Sequence, residues 1–444
     1  MYCGTVRRLA LVLPLVLGVC AYANTARNGW VLDDWHFIVE NPAIRTLNPL
    51  PRFWHATVTD GGAFFRPIAI ETYAIDYALT GGTPSWMHLV GVFWHLVATL
   101  LLVVLVLRLA TPAAALAAGL VFALHPVHTE AVTCVSNRPE VIATAIYLGA
   151  LLVELRETRW RWLVQPLLCF LALCTKESAI TLPLAIAALV FYFRRERGWW
   201  LAPLRVVPGI AVYLLLRWHA LGGVTYVSSP PYFAGTPTLV RALTVLKIVP
   251  LYARRLVAPT VMSADYSRAA IPDAHGLELA VVAGVVIVIG LLLAMVRGRG
   301  LFAFGAAMLV IGMLPYAQLT PIAVLMAERF LYLASVGLAM MIGAGVAFAF
   351  ARGVRPVLVW APVAILASAF LLRTVDRNRD WRNPLTLWEA TIEVVPESAF
   401  AHANLALSAW WADQKERGVR EMELAVRMSP DTPAFRAALE QMRH

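Results

Sequence analysis

The sequence predicts an all-α, polytopic membrane protein of about eleven transmembrane helices, with outer-face interfacial helices and a short C-terminal helical domain. Three observations predict it. Of 444 residues, 60% are hydrophobic and 14% charged, against about 45–50% apolar and about 25% charged in soluble domains. Several apolar runs reach the roughly 20 residues needed to cross a hydrocarbon core. Short arginine clusters punctuate the ends of those runs, as positive-inside bias requires. The net charge of +10 therefore reflects topology and excludes a nucleic-acid binder. The five cysteines, Cys3, Cys20, Cys134, Cys169 and Cys174, form no CxxC and mostly lie in or beside apolar runs. A disulfide framework or zinc site is not expected.

The first run, 9–26, follows Arg7 and Arg8 and resembles a signal peptide. Because the rest of the chain is itself membrane-embedded, it reads as an uncleaved first span. Further spans fall near 86–107, 113–125, 141–155, 162–175, 178–193 and 201–217, then near 278–296, 301–318, 331–350 and 356–372. Their inward ends meet Arg108, then Arg156, Arg159 and Arg161, then Arg194, Arg195 and Arg197. Later inward turns carry Arg297 and Arg299, then Arg352 and Arg355. Residues 236–262, with Lys247, Arg254 and Arg255, would invert every later cluster if they crossed. They read as an interfacial or re-entrant element on the outer side. The chain thus divides into a membrane domain, 1–372, and an outer tail, 373–444.

The tail is polar and helical. "AHANLALSAWWADQKERGVREMELAVRMSPD" fits a tetratricopeptide repeat, with Leu405, Ala406, Gly418, Met422, Ala425 and Pro430 on the expected positions. Pro396 precedes Pro430 by one period of about 34 residues. A plain amphipathic hairpin is the other reading. Roughly three repeats are usually needed for stability, so this piece must dock on the membrane domain or on a partner.

Polar chemistry concentrates in the outer loops. In loop 27–85, "WVLDDWHFIVENPAIR" sets Asp33 and Asp34 just beyond the first span. Asp33 could cap a helix; an acid pair at the interface could instead take a proton from a substrate hydroxyl or hold a metal. "FFRPIAIETYAIDYAL", 64–79, suits a helix in the interfacial plane. Its Arg66 could anchor lipid headgroups or fork onto a phosphate. "HPVHTEAVTCVSNRPE" brings His125, His128 and Glu130 together without HExxH spacing, so structural histidines are expected rather than metal ligands. Lys176, one of three lysines in the chain, stands beside Glu177 as an ion pair or as a partner for an anionic lipid. "LMAERFLYLASVG" puts Glu328 and Arg329 at an outer span start with Tyr332 one turn on. Arg329 must pair with Glu328 or another acid, or face an anion. Together Asp33, Arg66, Lys176 and Arg329 suit a lipid-linked sugar phosphate, with an Asp as general base and cations on the leaving phosphate. A transporter or flippase of lipid-linked or anionic substrates is the alternative; it would place charges and broken helices near the midplane.

These motifs, with "LCTKESAITLP" and "RNRDWRNPLTLWEATIEVVPES", resemble in order the transmembrane and tetratricopeptide-repeat-containing O-mannosyltransferases and their bacterial relatives. The resemblance spans residues 30–400. It implies a C-type glycosyltransferase fold with a catalytic Asp in the first outer loop, Asp33 as base and Asp34 positioning substrate or sharing that role. It adds Arg138 of "SNRPE" to the phosphate cations, where the family usually carries a Gly-Arg-Ala-Asp-like run. It further implies a polyprenyl-phosphate sugar donor, usual inversion, a protein or glycan acceptor and no required cofactor, with metal independence favoured over a divalent ion. Residence in a bacterial inner membrane, with site and tail periplasmic, is the matching expectation.

Overall fold

A computed structural model describes residues 2–48, 52–54, 64–194, 198–223, 232–319 and 322–443. Arg195 and Arg197 lie outside the described residues, as do parts of the loops 27–85, 218–277 and 318–330. Among the described residues there is no strand. In hydrocarbon a helix alone satisfies all its own backbone groups, so apolar runs of this length become helices. Proline occupies the first turn of many of them, including Pro84–Leu109, Pro112–Leu124 and Pro356–Asp380, where its missing N–H costs nothing.

Each of the eleven expected runs falls on a helix, but they are not equivalent. Among the described residues, seven helices are long and apolar enough to cross a membrane. An eighth arises if Pro112–Leu124 and Pro126–Thr133, bent by 49°, form one broken span. Arg161–Leu173 and Gly300–Tyr316 are shorter apolar helices, so a count of eleven does not follow. The break at His125 comes from Pro126, which cannot continue the helix before it.

Successive helices alternate between two ends of the bundle. One end gathers Arg27, Pro84, Arg138, Glu177, Glu328 and Asp380; the other gathers the basic turns around Arg108, Arg156, Arg194, Arg297 and Arg352. Glu154 ties that basic end together, accepting from Arg205 at 2.5 Å and from Gln165 at 2.6 Å. Helices Gly300–Met313 and Leu331–Ala351 cross at Gly305 and Gly337, where a side chain at Gly337 would strike the Gly305 carbonyl and the Leu309 backbone. Such small-residue crossings let backbones approach where no hydrophobic drive exists between helices.

Segment 236–262 is a helix, Thr238–Val257, and does not count among the candidate spans. It buries Thr244, Ile248, Tyr252 and Arg255, and Lys247 pairs with Glu278 at 2.8 Å. The stretch 64–79 is corrected in part. It forms helix Pro67–Thr80, but its buried Ile70, Tyr73 and Ala74 pack with Ile38, Ile44, Met87 and Val135. The tertiary packing of that face, which the sequence pattern alone does not specify, draws it into the protein.

The tail forms helices Pro384–Val394, Ala399–Trp411, Lys415–Met428 and Pro433–Arg443. Ala406, Met422 and Ala425 meet in its core with Leu439 and Met442. It docks on the membrane domain, as its shortness demands. Trp388, Ala401 and Leu405 pack against Leu32 and Ala264, Gly29 N–H donates to the Arg382 carbonyl at 2.8 Å, and Ser398 donates to Asp265.

Candidate active site

The two acids have opposite environments. Asp34 is fully buried. It accepts from Ser136 N–H at 2.7 Å and Val31 N–H at 3.2 Å, with Cys134 Sγ at 3.5 Å. It thereby pins the first loop to the turn 134–136. Burial pushes its carboxyl up to about 6 against the pull of those backbone bonds. Asp34 precedes the one-turn helix Trp35–Val39 but makes no side-chain cap to it. Asp33 is exposed, and its carboxylate lies close enough to Arg329 for their charges to interact.

Leu32, between Val31 and the acids, has φ of +47°, in the left-handed region a branched residue rarely occupies. Its side chain packs with Trp381 and Leu387 on one side and with Trp388 and Leu405 of the tail on the other. Tertiary packing therefore holds the backbone that presents Asp33 in a conformation worth about 1–3 kcal/mol of strain.

Three of the four expected phosphate cations form one charge-coupled group, of which Arg329 also interacts with Asp33. Arg329 donates to Glu130 through its guanidinium and through its backbone N–H at 2.9 Å. Of the partners open to it, the acid it takes is therefore Glu130 and not Glu328. Its guanidinium lies 5.2 Å from the Phe330 ring, which stacks on Tyr316 at 3.9 Å. Lys176 pairs with Glu140 at 3.1 Å, and Tyr316 OH donates to the same carboxylate at 2.8 Å. Arg66 donates to Glu177 at 2.9 Å over the face of Phe64. The charges of Arg66 and Arg329 both act on Lys176, which makes the three one electrostatic cluster. Their side chains are only 12–18% exposed, so screening by water is reduced and any anion reaching them is held strongly.

Arg138, the fourth cation, is held differently. It is buried with its guanidinium on Asp76 and on the Met87 carbonyl at 2.8 Å. It ties the helix Pro67–Thr80 to the helix that starts at Pro84. Glu328 is buried too, accepting from Tyr266 OH at 2.6 Å and Ser263 N–H at 2.9 Å, with Arg377 at 3.6 Å. His125 accepts from Val127 N–H and donates to the Leu256 carbonyl at 2.9 Å. His128 bonds Ser335 Oγ at 2.7 Å, and Tyr332 bonds His95 at 2.8 Å. These histidines and Tyr332 support the bundle interior. Among the described residues no three His, Cys, Asp or Glu side chains form a group able to hold a metal.

Sequence reasoning missed several members and one pairing. Lys176 takes Glu140 and not its neighbour Glu177, which holds Arg66 instead. Arg217, 3.6 Å from Glu177, stands alone in an apolar run, and a charge inside a span is by default a functional signal. Tyr316 and the strained Leu32 carry no such signal in the sequence.

No family model matches the chain. Among curated proteins, Drosophila melanogaster protein O-mannosyl-transferase Tmtc2 is 35% identical, covering 58% of this chain and 30% of that protein. Homo sapiens protein O-mannosyl-transferase TMTC3 is 24% identical over 94% of this chain and 51% of its own length. The chain's homologues are protein O-mannosyl-transferases. The chain spans a third to a half of the length of these two O-mannosyl-transferases. A crystal structure of the Archaeoglobus fulgidus oligosaccharyltransferase tethered with an acceptor peptide superposes at TM-score 0.44 and 13% identity. It covers 93% of this chain and 58% of that one, a likeness too slight to carry an argument.

Proposed function

We propose that the chain is a membrane glycosyltransferase that moves mannose or another hexose from a polyprenyl-phosphate donor to a hydroxyl of a protein or glycan, with inversion. The observation that carries this reading is the exposed Asp33 beside Arg329, with Lys176 and Arg66 in the same cluster. Asp33 takes the acceptor hydroxyl's proton as its oxygen bonds to the sugar's anomeric carbon. The bond from that carbon to the phosphate oxygen breaks, and the electron pair leaves with the lipid phosphate. Arg329, Lys176 and Arg66 neutralise that charge with donors not used by Glu130, Glu140 and Glu177. Homology to O-mannosyl-transferases supports the class of reaction. The candidate groups gather at one end of the bundle, which favours transfer over transport. On this reading that end faces the periplasm of a bacterial inner membrane, and the basic end faces the cytosol. The buried Leu405, Ala406, Gly418, Met422 and Ala425 support reading the tail as tetratricopeptide-like.

The test is a transfer assay with the purified full chain in nanodiscs. Labelled mannose should pass from polyprenyl-phosphate mannose to a Ser/Thr peptide or glycan acceptor, and not from a nucleotide sugar. Transfer from the nucleotide sugar alone, or from neither donor to any acceptor hydroxyl, contradicts the reading.

A further inference from the structure

The opposite end of the bundle carries a second feature that the proposed reaction does not use. A cleft of about 490 Å³ opens there between the helix end at Arg194, the turn at Trp199 and the link between helices Leu279–Arg297 and Gly300–Met313. Arg297 and Arg299 line one side of it, with the small Gly298 and Gly300 between and after them. Phe191, Tyr192 and Trp199 line the other. The Phe191 ring lies edge-on to Trp199 at 5.1 Å, and Tyr192 OH donates to the Met295 carbonyl at 2.8 Å, which fixes that wall to the arginine-bearing helix.

Among the described residues no carboxylate lines the cleft, and neither Arg297 nor Arg299 has a hydrogen bond or ion pair there. Neighbouring arginines of the same end are spent differently: Arg194 and Arg205 both reach Glu154. The two exposed guanidiniums, two residues apart, offer an entering anion several charged donors. An anion here meets a wall that includes Tyr192 and Trp199, residue types enriched at membrane–water interfaces. Val296, beside Arg297, is largely exposed and continues the cleft with apolar surface.

We propose that this cleft binds the phosphate headgroup of an anionic membrane phospholipid, the two arginines on the phosphate and the aromatic wall along the glycerol and upper acyl chains. A basic pocket between span ends on the positively charged face is suited to such a lipid. The inference stands apart from the sugar chemistry and needs no donor.

The experiment is native mass spectrometry of the full chain released from nanodiscs of phosphatidylcholine containing a minority of phosphatidylglycerol. Phosphatidylglycerol should be retained selectively. Arg297→Gln with Arg299→Gln should weaken its retention roughly 30-fold, and Arg299→Gln alone by a smaller factor, should the double variant fold poorly. The pair Arg352→Gln and Arg355→Gln, which removes the same charge from the same end outside the cleft, should leave retention within about twofold. Equal losses in the two double variants would reduce the effect to diffuse attraction and overturn the site. Equal retention of phosphatidylcholine would overturn the headgroup assignment. Displacement of the lipid by millimolar inorganic phosphate would make this a site for free phosphate and overturn the lipid assignment.

Discussion

Asp33→Asn is expected to lower sugar transfer by about 10²–10⁴-fold, the usual contribution of a positioned general base, while leaving the fold intact. Asp33 is exposed and makes no side-chain hydrogen bond among the described residues, so the amide removes a proton acceptor and its charge on Arg329 but no packing. Asp34 should behave in the opposite way. Asp34→Ala strands the N–H groups of Val31 and Ser136, and each unpartnered buried donor costs about 1–3 kcal/mol. The sign of its pH dependence follows from a native carboxyl raised from an ordinary value of 3.8 to about 6. The folded state holds the proton more tightly than the unfolded chain, so this group stabilises most below pH 4. The contribution is lost as pH rises from about 4 to about 6. Thermal unfolding in detergent across that window should show a slope in the wild type that Asp34→Ala lacks. Unchanged turnover in Asp33→Asn would remove it as the base.

Leu32→Gly should separate catalysis from folding. Glycine adopts φ of +47° without penalty, so backbone strain falls. The side chain that the tail grips through Trp388 and Leu405 is lost with it. The loop is then free to move, and a displacement of about 1 Å at a reacting group can cost on the order of 10²-fold in rate. Turnover should fall roughly 10–100-fold with the donor KM unchanged, because Arg329, Lys176 and Arg66 are held by their own acids. A full-rate Leu32→Gly variant would show that the tail's grip does not position Asp33. A raised KM would place Leu32 in donor binding instead.

What the sequence makes legible follows from the length scale of each interaction. Hydropathy is a local property, so all eleven apolar runs are helical, and the basic turns gather at one end. Crossing is not local: whether Arg161–Leu173 or Gly300–Tyr316 spans alone depends on its neighbours, and length does not settle it. The acid pair announces itself by position beside a span, and the opposite fates of Asp33 and Asp34 do not. Those depend on Ser136, about a hundred residues away in the chain. Separations of 199 and 62 residues likewise hide Glu130 as the partner of Arg329 and Asp76 as the partner of Arg138. A cation in a motif reads the same whether it waits for a phosphate or braces two helices. The strain at Leu32 is invisible because a tertiary contact imposes it on a residue with no preference for it.

The measurement that tests the central claim most directly is a cryo-EM map of the full chain with a non-transferable polyprenyl-phosphate sugar analogue. The account predicts phosphate density bonded to Arg329 and Lys176, with the anomeric carbon facing Asp33 and the isoprenoid leaving sideways between helices. Density for the phosphate at the basic end, or anywhere out of reach of Asp33, would contradict it.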